Sequence, residues 1–119
     1  MDLHLVQKDR SDPWVKGKSR ELMVSVWYPS LPGGECKPAM YLQPAAAAHF
    51  SQSINPAVGI GPDQIDWTNV DTHACTGANV KTQAGERPVV LYSPGFAVSR
   101  QFGTVLFEEL VSADMSLSR

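Results

Sequence analysis

The chain is short of the features that would mark it at once as a nucleic-acid binder, a membrane protein or a disulfide scaffold. Neither charge dominates: 10 Lys and Arg stand against 12 Asp and Glu, a formal net charge of -2 over 119 residues. No basic stripe interleaved with aromatics runs along the sequence, so no nucleic-acid partner is expected. No apolar run approaches the roughly 20 residues of a membrane span, and Met1-Asp2-Leu3-His4 lacks the charged-then-apolar order of a signal peptide. The expectation is a protein with no transmembrane segment, cytoplasmic as written. Cysteine is scarce too, only Cys36 and Cys75, and neither has metal-ligand spacing with His4, His49 or His73. They read as free or loosely packed thiols, with one bridge left open if the protein is exported, and no metal or cofactor is expected. At this length there is at most one domain, able to bury roughly 65% of its unfolded surface if complete.

What is present is concentrated in Arg87 to Phe96, RPVVLYSPGF. Val89, Val90, Leu91 and Tyr92, bounded by Pro88 and by Pro94-Gly95, predict a short buried strand ending in a glycine turn. Gly95 lets the chain turn where a side chain would block a ligand. A helix pattern opens near Ser99 and Arg100, completing the strand, turn and helix order from which anion sites and oxyanion holes are built. Between Ser99 and Ser112 the residues Phe102, Val105, Leu106, Leu110 and Val111 fall on one face of an amphipathic helix. Glu108 and Glu109 then belong to its solvated side.

Upstream, Leu3 to Val6 predicts a first strand turning at Lys8 to Pro13, and Arg20 to Tyr28 predicts a second. In the latter, Leu22, Val24, Val26 and Tyr28 alternate against Met23, Ser25 and Trp27, the pattern of a strand with one face well buried, and Pro29 ends it. Leu31 to Gly34 is a loop. Pro44 followed by four alanines predicts a short helix stopped by Asn55-Pro56. Gly59-Ile60-Gly61-Pro62 is a structural loop rather than a phosphate cradle, since no strand feeds it and Pro62 removes a donor. Val70 to Cys75 is a further extended segment. Trp14, Trp27 and Tyr28 read as core or sheet-face residues in preference to an ester pocket.

Together RSDPW (Arg10 to Trp14), RELMVSVWYP (Arg20 to Pro29), Thr72-His73-Ala74, and RPVVLYSPGF with the following VSRQFGTVLFEELVS resemble the N-terminal part of bacterial α/β-hydrolases. The similarity is to the platelet-activating-factor acetylhydrolase-like esterases and lipases, and it covers most of the chain outside Pro44 to Asp66. The resemblance implies an α/β fold, here the N-terminal part of a hydrolase sheet: the first strands plus the first helix. Residues 1–119 would form this partial domain, with a loop-rich connection at about 31–86 and the C-terminal half absent. A longer family member could be secreted. It implies that the backbone N–H of Phe96 is one oxyanion donor, with Gly95 supporting the turn, and that the substrate is an ester or phospholipid-like small molecule. The family's Gly-x-Ser-x-Gly nucleophile turn occurs nowhere in the sequence, so nucleophile, acid and base are all missing. Ser93 shares the turn with the donor it would have to face across a substrate carbonyl, and His49 and His73 have ordinary packing or surface roles.

Three readings follow. The first is a truncated serine esterase or lipase, inactive alone and prone to aggregate or partly unfold. The second is a non-catalytic binding module, and the third a small hydrolase using Ser93.

Overall fold

The N-terminal fifth is a long antiparallel hairpin, and it forms because both arms are rich in strand formers and a well-specified turn joins them. Strand β1 (Asp2–Ser11) pairs with β2 (Ser19–Ser25), with Leu3 opposite Val24 and Leu5 opposite Leu22. In the computed structural model the described residues are 1–82 and 88–116. The turn closes through Asp12 N–H to Lys18 C=O at 2.8 Å and is relieved at Gly17, whose φ of 80° suits glycine. Both predicted strands are thus present. The well-buried face is not: Leu5 and Leu22 are both exposed, because no second layer among the described residues covers them on this two-stranded ribbon. The second strand also ends at Ser25, short of Tyr28.

After the hairpin, Ser30 bridges Val80, and Leu31 N–H donates to Asn79 C=O at 3.0 Å. A second small sheet follows, in which β3 (Pro38–Met40) runs antiparallel to β4 (Asp71–Cys75), the extended segment foreseen at 70–75. Cys36 and Cys75 lie beside this ladder with Cα atoms 5.1 Å apart and form a disulfide. That overturns the free-thiol expectation. Two cysteines 39 apart in sequence carry no local signal of pairing; the β3–β4 register, which sets Pro38 opposite Cys75, brings them within bridging distance.

The loop closed by this disulfide contains the molecule's core. Helix α1 (Pro44–His49) begins as expected with Pro in its first turn. The helical path does not stop at Asn55-Pro56. It widens into a π turn over Phe50–Ile54 and resumes as α2 (Asn55–Ala57), where Pro56 again occupies a first-turn position that needs no N–H. Leu42, Ala47 and Phe50 are buried, with Tyr41, Ala46, Ile54 and Trp67 packed around them. Phe50 meets the Trp67 ring edge-on at 5.6 Å. Asn55, fully buried, accepts from Trp67 Nε1 at 3.1 Å and donates to the carbonyls of Gly61 and Pro62. Residues 59–62 are therefore the structural loop expected of them.

Asp66 caps the short 3-10 turn Trp67–Asn69, accepting from Thr68 N–H at 3.1 Å, and this hydrogen bonding holds its carboxyl below the ordinary aspartate range, Thr68 contributing most. Because the folded-state value is depressed, the stabilisation is present above the unfolded pKa and is lost as pH falls through the folded one. Thermal stability should therefore decline on acidification below the ordinary aspartate range. In Asp66→Asn that acid limb should be shallower in a Tm-against-pH series; an unchanged limb would assign it to other carboxylates.

The predicted C-terminal helix exists as a 3-10 turn Arg100–Gly103 leading into α3 (Thr104–Ser116). Its expected apolar face is mostly open, since Phe102, Val105, Leu106 and Leu110 are all exposed. Phe107 makes the ring contacts to neighbouring segments instead, 5.9 Å from Trp27 and 5.1 Å from Tyr92. Phe107 packs over Gly103, where an added Cβ would lie 2.3 Å from its ring.

The expected N-terminal part of a hydrolase sheet does not form among the described residues. The described residues hold two separate two-stranded antiparallel sheets and no parallel pair. Residues 88–92, expected as a buried strand, have no strand partner among the described residues, and Val89, Val90 and Leu91 are 83, 68 and 92% exposed. Local pairing explains the difference: β1 and β2 satisfy each other across a short turn, whereas a parallel neighbour for 88–92 requires a long crossover. The consequence is an open molecule. Its radius of gyration is 17.0 Å, against about 13.5 Å for a compact domain of this length.

Candidate functional site

The turn carrying the expected oxyanion donor is well defined. Val98 N–H donates to Gly95 C=O at 3.0 Å, closing it, and Ala97 takes a left-handed φ of 61°. Such a conformation costs a non-glycine residue roughly 1 kcal/mol. The strain thus sits at Ala97 rather than at Gly95, where an added Cβ would make ordinary contact with Val98 Cγ2 at 3.7 Å. Gly95 is not demanded by the chain's own packing. Phe96 is 99% exposed, and its N–H meets no acceptor among the described residues. Ser93 is exposed and engages no histidine. Arg87, the first residue of the motif, lies outside the described residues.

A separate cleft of about 460 Å³ opens between the end of β2, the β3–β4 sheet and α3, with Trp27, Tyr28, His73, Arg100, Phe107 and Glu108 among its lining residues. Trp27 and Tyr28 therefore face a cavity, as an ester pocket would require, while Trp14 lies far along the hairpin and is neither core nor sheet-face. Tyr28 is fixed by donating its hydroxyl to Ala78 C=O at 3.0 Å.

Two polar couples shape the cleft, and sequence reasoning found neither. Glu108 accepts from His73 N–H through Oε1 at 2.7 Å and approaches His73 Nδ1 through Oε2 at 3.1 Å. Its side chain is only 16% exposed, so it docks α3 against β4 instead of belonging to a solvated helix face. On the other side, Ser25 Oγ donates to Asp2 Oδ1 at 2.6 Å and accepts from Arg100 Nε at 2.9 Å. Arg100 Nη2 lies 3.8 Å from Asp2 Oδ2, so the cation is already matched. These pairs span 35 and 75 residues, and no periodicity or spacing rule reaches that far.

Chemically the cleft orients and encloses but lacks a nucleophile couple. His73 has a carboxylate on Nδ1 yet no hydroxyl on its other nitrogen, and Ser25 has a carboxylate and a guanidinium but no histidine. A serine nucleophile needs a base within hydrogen-bond reach, itself oriented by a third group. Among the described residues no serine or threonine hydroxyl bonds a histidine, and no three His, Cys, Asp or Glu side chains gather as a metal site. Nor is any described helix long and apolar enough to cross a membrane. Compared with known proteins, the chain matches no family model, no curated protein and no solved structure.

Proposed function

We propose that this chain is a catalytically inert part of a carboxylic-ester hydrolase of the serine esterase or lipase class. In this reading it contributes one oxyanion donor, the Phe96 N–H, and not the triad. The observation that carries the reading is the Gly95–Ala97 turn, which presents an unengaged N–H on a fully exposed residue just ahead of a helical segment. The resemblance of RELMVSVWYP and RPVVLYSPGF to the platelet-activating-factor acetylhydrolase-like enzymes supports it from the sequence. Without a serine to attack the carbonyl, a donor alone stabilises nothing that forms. An ester or phospholipid-like substrate follows from the resemblance.

The exposed run Val89–Leu91 favours a second reading, a binding module. Among the described residues its backbone groups have no partner, the condition under which an extended segment can add to another sheet.

The purified chain, incubated with a short-chain aryl ester and with a fluorophosphonate probe, should show neither turnover nor covalent label. Label located by mass spectrometry at Ser93 would overturn the proposal in favour of a small independent hydrolase. The coding sequence past Arg119, read in all three frames, separates the other two readings. An apolar strand followed by Gly-x-Ser-x-Gly supports the esterase part, and their absence supports the binding module.

A further inference from the structure

The β1–β2 turn carries an exposed tryptophan in a locally basic stretch of the chain, and nothing in the ester-hydrolase reading uses it. Trp14 is 88% exposed at the tip of the hairpin, with Pro13 on one side and Val15, also exposed, on the other. The tip is held in shape: Asp12 Oδ1 accepts from both Trp14 N–H and Val15 N–H at 2.8 Å, and Lys18 N–H returns to Val15 C=O at 3.2 Å. An apolar side chain displayed this way gains nothing from the protein's own core.

The charge distribution around it is uneven in a manner the chain-wide balance conceals. Lys8, Arg10, Lys16, Lys18 and Arg20 are five of the ten basic residues, with only Asp9 and Asp12 among them. Residues 8–20 thus carry +3, and the rest of the chain, five basic against ten acidic, carries −5. Lys18 is paired with Glu21 at 3.4 Å, but among the described residues Lys8, Arg10, Lys16 and Arg20 lie within ion-pair distance of no carboxylate. Asp12 binds the backbone of the turn first, and the nearby charges of Lys18 and Arg20 act on it more weakly.

We propose that the hairpin tip at residues 12–18 anchors the protein to an anionic lipid surface. Trp14 and Val15 enter the headgroup boundary while Lys8, Arg10, Lys16 and Arg20 lie against the lipid phosphates. The amphipathic tryptophan ring suits that boundary, and surface-proximal cations are attracted to an anionic leaflet. A single aromatic beside an aliphatic residue favours lipid over nucleic acid, whose bases require successive stacking platforms. The acidic remainder of the molecule is repelled by the same surface, so attachment is confined to the tip. This inference is independent of the ester-hydrolase reading, and binding is scored without reference to turnover.

The test is co-sedimentation of the disulfide-intact chain with phosphatidylcholine vesicles, with and without about 30% phosphatidylglycerol. Binding should require the anionic lipid and should be largely lost between about 0.05 and about 0.5 M NaCl. Trp14→Ala should weaken it roughly tenfold or more. Arg10→Ala with Lys16→Ala should weaken it by roughly 30-fold, the effect of two surface charges. Brominated lipid should quench part of the native tryptophan emission and none of it in Trp14→Ala, while circular dichroism confirms that both variants keep the native fold. Equal binding to neutral vesicles, binding indifferent to Trp14, tighter binding to a single-stranded oligonucleotide, or no binding at all would each overturn the proposal.

Discussion

Removing the Cys36–Cys75 bridge should lower stability by about 4 kcal/mol, the loss of chain-entropy restraint expected for a closed loop of about 40 residues. The effect falls where it matters most, because Leu42, Ala47, Phe50 and Trp67 all lie within that loop. The β3–β4 ladder that would otherwise hold its ends together has only two registered pairs, Pro38 with Cys75 and Met40 with Asp71. With so few buried apolar side chains, 4 kcal/mol is a large part of a stability that in ordinary domains totals about 5–15 kcal/mol. In urea, followed by tryptophan fluorescence, the Cys36→Ser/Cys75→Ser variant should unfold at a midpoint lower by about 2 M if m is about 2 kcal/mol/M. A coincident midpoint for bridged and unbridged protein would show that the ladder suffices. The same bond bears on where the chain can work, since a structural disulfide persists in oxidising compartments and is rare where glutathione keeps thiols reduced.

Phe50→Ala should cost about 3–5 kcal/mol, the range for deleting a buried aromatic side chain. Phe50 is one of three buried apolar residues in the core cluster of the described residues, and its ring centroid lies 5.6 Å from that of Trp67 and 6.0 Å from that of Phe102. The substitution empties the centre of the lobe and also removes the ring contact between that lobe and the helical segment at 100–116. The loss should appear as a collapse of the near-ultraviolet circular dichroism together with an early urea transition. Phe102→Ala, which truncates the exposed partner of the same contact, should cost less than about 1 kcal/mol by comparison. Equal costs for the two would mean that the lobe's stability resides in the contact between segments and not in its own core.

Local physics made much of this structure legible. β1, β2, α1, β4 and the 100–116 helix could all be foreseen because each rests on residues adjacent in sequence: alternating strand formers, Pro44 ahead of an alanine run, a 3.6-residue apolar repeat. Burial was legible only for a side chain with an available partner. Leu22 and Leu106 have the right periodicity, yet no second layer covers them, so the pattern forecast a core that the chain does not assemble around them. The same holds for Val89 to Leu91, whose strand propensity finds no edge to join. Propensity describes what a segment can do, and hydrogen-bonded partners decide whether it does.

By itself, then, the sequence determined the local elements, the absence of any Gly-x-Ser-x-Gly turn and the exposed glycine turn at Gly95-Phe96. Tertiary structure alone decided that Cys36 bonds Cys75, that Glu108 holds His73, that Arg100 is matched by Asp2, and that no core covers Trp14. The physical reason is range. Backbone preference and side-chain periodicity act over one or two turns or a few strand residues, whereas a disulfide or an ion pair exists only when distant segments are brought within a few ångströms by everything folded between them.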